Sequence, residues 1–147
     1  MFLNNIHDMS DIINILHKGN YSCVIENGGE IYTYTQRGVM DLYDLLTKSP
    51  EILHGARLAD KVIGKAAASL VVLGGVKELY AELISEPALS VIKESGIRYE
   101  YMNLVSLIQN RDRSGICPLE LMCKEASSPE EALALIEDFV IKIRAKQ

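Results

Sequence analysis

The sequence predicts a three-layer α/β/α domain around a mixed sheet, and three observations carry that expectation. Two strand-like segments near the N-terminus are joined through Asn27-Gly28-Gly29, and helical and strand patterns alternate after them. Residues 76–102 then run strand, helix, strand, an order that pairs two strands in parallel through a crossover. With 147 residues, 48% of them hydrophobic and 24% charged, the chain is expected to form one domain over residues 1–147.

Each element has a local reason. Residues 9–18 read as an amphipathic helix: Ser10 is placed to cap it, Ile12, Ile13, Ile15 and Leu16 form its apolar face, and Gly19-Asn20 end it. Residues 21–26 and 30–35 are rich in Val, Ile, Tyr and Thr and read as a hairpin, since Asn27-Gly28-Gly29 accepts the positive φ of a tight turn. After Gly38, the spacing of Val39, Leu42, Tyr43, Leu45 and Leu46 predicts a second helix closed by Ser49-Pro50, followed by a loop or brief strand to Gly55.

Residues 59–73 make the strongest helical pattern, with Asp60 near the start, an Ala-rich middle and Gly74-Gly75 at the end. Residues 76–84 read as a buried strand, 87–94 as a helix with proline in its first turn, and 97–102 as a strand. Residues 104–108 fit either a further strand or a helical turn. Two helices close the chain, over 118–125 and 129–144, the second opened by Ser128-Pro129-Glu130-Glu131.

Composition limits the function classes. The net charge of −5 argues against broad nucleic-acid binding, which needs many Lys and Arg to displace counterions, while leaving room for a local basic group facing one nucleotide. Three cysteines, Cys23, Cys117 and Cys123, make no disulfide framework and fit a reducing cytoplasm. The longest uncharged run, residues 66–76, is far short of the ~20 apolar residues that span a bilayer, and the first residues lack a secretory pattern, so no membrane partner and no export are expected.

Glu86-Pro87-Ala88, then Val91, Gly96 and Ile97, resemble the segment of the cytidine deaminase-like superfamily in which Glu-Pro-Cys-x-x-Cys opens a helix. The order of elements over about residues 20–105 is similar too. The resemblance implies a core built from a hairpin and helix-linked strands, two helix N-termini facing the site, and self-association by analogy. The chain also resembles a small uncharacterised prokaryotic domain family placed in that superfamily. That likeness rests on Ala59-Asp60-Lys61-Val62-x-Gly64-Lys65-Ala66-Ala67, on Ala81-Glu82-Leu83-Ile84-Ser85-Glu86-Pro87-Ala88, and on Asn110-Arg111-Asp112 followed by Cys117-Pro118.

Zinc deaminases need three protein ligands and a Glu that carries protons to and from the metal-bound water. Here Ala88 and Val91 stand where the two later cysteines would be, and residues 55–77 hold no His, Cys or Glu to supply the earlier half. Cys117 and Cys123 are six apart, which suits neither a zinc knuckle nor one helical turn, and they read as small buried or capping side chains. No metal and no cofactor is expected, and zinc-dependent deamination is disfavoured.

Three polar clusters are candidates for the edge where strands end and helices begin. The first is Asp60-Lys61 with Lys65 four residues on, placed by the pattern on one helix, either as a solvated face or as an anion site. The second is Ser85-Glu86. The third is Asn110-Arg111-Asp112 leading to Ser114, Gly115 and Cys117, which fits both a turn and a fork for phosphate. Glu82, inside an apolar strand, is expected to face solvent, to pair with a base such as Lys65 or Arg111, or to lie in the site, with pairing favoured. The alternating Tyr32, Tyr34, Tyr99 and Tyr101 read as sheet cover.

The function expected from these residues is zinc-independent binding of a nucleotide or phosphorylated metabolite, as a sensor or accessory factor. An enzyme using Cys117, or Asp112 with Lys65, and an oligomeric scaffold without ligand are the alternatives.

Overall fold

The computed structural model describes residues 8–36, 39–110 and 112–147. Five strands form one mixed sheet in the order β2-β1-β3-β4-β5. The hairpin of β1 (Cys23–Asn27) and β2 (Glu30–Tyr34) is antiparallel, with Gly28 and Gly29 at φ of +61° and +88° in its turn. β1 then pairs antiparallel with β3 (Arg57–Ile63), whereas β3, β4 (Glu78–Ser85) and β5 (Arg98–Val105) run parallel. α4 (Lys65–Gly74) and α5 (Glu86–Ser95) make the two crossovers.

Helices cover the sheet from both sides. α1 (Met9–Lys18) sets Met9, Ile12 and Leu16 against Val24, Ala59 and Tyr80. On the opposite face Ile25, Leu58, Leu79 and Ala81 meet Leu42 of α2 (Met40–Lys48), Leu70 and Val71 of α4, Ile92 of α5, and Ile136 and Val140 of α7 (Pro129–Ala145). Each fully buried Leu or Ile contributes about 1.5–3 kcal/mol over leaving it in water, so this face supplies most of the driving force. Polar ties fix α7 to α2: the Tyr43 hydroxyl donates to Glu137 Oε2 at 2.7 Å, and Arg144 Nη2 donates to Asp44 Oδ2 at 2.8 Å.

The main departure from the sequence reading lies at residues 57–63. The pattern predicts a helix over 59–73, but 57–63 form β3 and the helix begins only at Lys65. Ala59 and Lys61 suit a helix on propensity, and Asp60 suits a helix start, yet this segment lies between two strands and pairs with both. Ala59 serves the strand by being small, for it is fully buried in the cluster under α1. Gly64, at φ −94° and ψ −178°, is the extended residue that separates the strand from α4.

Smaller corrections have local causes. Asp8, not Ser10, caps α1: Asp8 Oδ1 accepts from the Asp11 amide at 3.0 Å, and Asp11 Oδ2 accepts from the Asp8 amide at 3.2 Å. The stretch before Gly55 contains a one-turn helix, α3 (Pro50–Leu53), whose carbonyl end is held by Asn27 Nδ2 donating to Ile52 O at 3.0 Å and His54 O at 2.9 Å. β5 extends to Val105, which settles the start of the ambiguous 104–108 stretch as strand, and an irregular segment then leads to α6 (Pro118–Cys123).

Candidate functional site

A cavity of about 700 Å³ opens where α4 begins at the end of β3, and its size is within the range of roughly 300–1,000 Å³ common for small-ligand sites. Cys23 and Asp60 come from neighbouring strands, Gly64, Ala66 and Ala67 from the turn into α4, and Ile108, Cys117, Leu119 and Glu120 from the segment around α6. Residues 20–22, Thr35, Gln36, Val39, Asp41 and Leu42 close the other side. The small side chains of Ala66 and Ala67 leave the space that a larger residue would fill.

Asp60 is the buried acid of this wall, 8% exposed. Its Oδ1 accepts from the Val62 amide at 3.0 Å, and the thiol of Cys23, its register partner across β1–β3, hydrogen-bonds to the carboxyl. Burial pushes the Asp60 carboxyl up to about 7, against the downward pull of the Val62 amide, the Cys23 thiol and the Lys61 amide; the charge of Asp41 pushes it up further. Cys23 is raised well above an ordinary thiol, first by burial and then by the charge of Asp60 and its hydrogen bond. A thiol held protonated in this way is a hydrogen-bonding group and not a nucleophile.

Glu120 is still more deeply buried, at 2% exposure. Its Oε1 accepts from the Lys65 amide at 2.8 Å and its Oε2 from the Ile108 amide at 2.8 Å. The N-terminus of α4, where the sequence suggested an incoming anion, thus holds a carboxylate of the protein itself. The fit is close: a Cβ on Gly64 would stand 3.1 Å from Glu120 Oε1.

The sequence-derived candidates separate into two sets. Asp60, Lys61, Asn110 and Cys117 line the cavity. Lys65, Glu82, Ser85, Glu86 and Asp112 do not. Lys65 lies at the first position of α4, not on a helix shared with Asp60, and its Nζ donates to Lys124 O at 3.0 Å and Ala126 O at 2.7 Å, tying the end of α6 to α4.

Glu82 does not pair with Lys65. It lies 3.1 Å from His17 Nε2 of α1, both side chains being well exposed. Ser85 is fully buried and caps α5, its Oγ accepting from the Ala88 amide at 3.4 Å, while Glu86 is exposed. Asn110 Oδ1 and Asp112 Oδ1 both accept from the Ser114 amide at 3.0 Å, so these two residues build a turn; bonding to Ser114 holds Asp112 below the usual carboxylate range. Arg111 lies outside the described residues.

Cys23, Asp41 and Glu120 were not legible as site residues. Glu120 in particular sits where an acidic residue in a helix's first turn normally faces solvent, so its burial had no sequence signal. The helix starts offer no metal donors either: α4 opens Lys65-Ala66-Ala67-Ala68, and Ala88 of α5 is fully buried. Among the described residues no three His, Cys, Asp or Glu side chains gather as metal ligands. A zinc ion of the deaminase kind therefore does not fit these residues.

A family model described as TM1506, domain of unknown function (DUF1893), matches residues 11–140. The chain belongs to the DUF1893 family. A crystal structure of a DUF1893 family protein (TM1506) from Thermotoga maritima matches it with a TM-score of 0.80 at 25% identity, covering 94% of this chain and 96% of that one. No curated protein matches. Within DUF1893 the fold is therefore an α/β arrangement with a five-strand mixed sheet flanked by helices, and membership in a family of unknown function brings no activity with it. No helix among the described residues is long and apolar enough to cross a membrane.

Proposed function

We propose that this chain is a zinc-independent member of the deaminase-like three-layer fold that binds a nucleotide or related phosphorylated metabolite and acts as a sensor or accessory factor. A hairpin followed by helix-linked parallel strands supports the fold reading. The ligand reading is carried by the cavity at the end of β3, whose apolar walls can take a ring. Lys61 is the basic side chain among its described lining residues. In this reading the ring lies against Ala66, Ala67 and Leu119, and the phosphate sits near Lys61 at the mouth. The Lys65 amide at the α4 N-terminus plays no part in phosphate binding, because Glu120 accepts from it.

The test is thermal stabilisation by a panel of nucleoside monophosphates and the matching nucleosides. A monophosphate should raise the melting temperature more than its nucleoside, and Lys61→Ala should erase the difference while leaving the unliganded melting temperature in place. No shift with any member of the panel would end this reading.

Self-association belongs to the same proposal. β5 is the exposed edge of the sheet and presents Tyr99, Tyr101, Met102 and Leu104 to solvent, with Met102 63% exposed. A monomer mass by light scattering at micromolar concentration would remove that part.

A further inference from the structure

We propose that the Asp60 carboxylate reads the ligand's ring, accepting two hydrogen bonds from an edge that presents a ring N–H beside an exocyclic NH2, the edge of a 2-amino-6-oxopurine. This rests on the nucleotide reading above and names the chemical class that the same cavity selects. Two buried acids line the cavity, Asp60 and Glu120. Glu120 has both oxygens committed to backbone amides, at 2.8 Å each. Asp60 has capacity left. A carboxylate offers about four lone-pair sites; the Val62 amide takes one at 3.0 Å, the Lys61 amide is held by the Ser22 carbonyl, and the Cys23 thiol is a weak donor that a stronger N–H can displace.

No Lys, Arg or His among the described residues forms an ion pair with Asp60. A carboxylate buried beside Val39, Leu42 and Leu119 without a cationic partner is expensive to keep, and a pair of ligand N–H donors is the complement that repays the desolvation. A ligand edge with carbonyl acceptors would instead set oxygen against oxygen. Cys23 from β1 and Asp41 from α2 act on Asp60, and Tyr21, Lys61, Cys117 and Glu120 are the other titratable residues among the described lining of the cavity. Asp41 opposes ionisation, as burial does, which sets the carboxyl near neutrality. The two-acceptor form therefore grows as pH rises through about 7.

Isothermal titration of the full chain with guanosine and inosine monophosphates tests this, because the two differ only in the 2-amino group. At pH 8 the guanosine compound should bind at least about tenfold tighter, as expected when a bond to a charged acceptor is lost. At pH 6 the ratio should fall toward one; both ligands carry the same phosphate, so its titration cancels. Asp60→Asn, checked for folding by its melting curve, should abolish the preference at pH 8. Equal affinities at pH 8, or a preference that survives in Asp60→Asn, would overturn the assignment while leaving nucleotide binding in place. Failure of both ligands to bind would remove it together with the reading it rests on.

Discussion

Glu120 accepts the amide of Lys65 at 2.8 Å and so closes the N-terminus of α4 with a side chain that arrives 55 residues later in the sequence. Its second oxygen holds Ile108, so one buried carboxylate joins the first turn of α4, the segment after β5, and α6. Helix N-termini carry unpaired amides and partial positive charge, and a carboxylate is the natural complement. The wall of the cavity is thereby built by an internal contact instead of waiting for a ligand.

Removing this carboxylate should be costly. Glu120→Ala leaves two amides without acceptors and should lower unfolding stability by roughly 2 kcal/mol or more. Glu120→Gln keeps one acceptor but sets an NH2 against the other amide, and should lose about 1–2 kcal/mol. Urea denaturation of both variants measures this; a loss within error for Glu120→Ala would mean that water replaces the contact.

Asp60 ties stability to pH with a definite sign. Its folded value of about 7 lies above the ordinary 3.8, so between those values the native state binds more protons than the unfolded chain, and stability falls as pH rises through that window. Asp60→Asn removes the cost of the charge. The variant should gain on the order of 2 kcal/mol relative to the parent at pH 8 compared with pH 5. Parallel stability curves for the two proteins from pH 4 to 8 would refute the buried-acid account.

The three cysteines should react in a set order. Cys117 is partly exposed at the cavity wall, whereas Cys23 and Cys123 are buried, and burial raises the pKa of both thiols. Brief iodoacetamide treatment at pH 7.5, read by mass spectrometry, should add one label, at Cys117, with the other two modified only after denaturation. Early labelling of Cys23 would show that the Asp60 pair is open to solvent.

Gly75 ends α4 at φ +78°, and a Cβ there would lie 2.7 Å from His54 Nδ1. Both the left-handed backbone and this contact resist a side chain, so Gly75→Ala should cost about 1 kcal/mol or more. Gly96 caps α5 with the same sign of φ, at +80°, but a Cβ there would meet nothing within 4 Å. Gly96→Ala should therefore be the milder of the two, and a reversed order in thermal melts would contradict the packing described for His54.

The readable parts of the chain were those governed by neighbours in sequence. The α7 start at Ser128-Pro129 and the hairpin turn at Gly28-Gly29 follow from capping and φ preferences. Residues 57–63 were misread because they run into the Ala-rich helix that follows and were merged with it, whereas pairing on both sides requires a strand. The misreading carried Asp60 and Lys65 onto one helix and hid the pairing of Asp60 with Cys23.

The sequence by itself determined the α/β class, the β4-α5-β5 crossover and the lack of metal donors over residues 65–68 and at Ala88 and Val91. Those properties depend on residue type and on periods of a few residues. Only the tertiary structure decided that Glu120 closes α4, that Glu82 meets His17, and that Asp60 stands buried at the cavity wall. Each depends on contacts between segments far apart in the chain, where burial and hydrogen-bond geometry, not local propensity, set the energy.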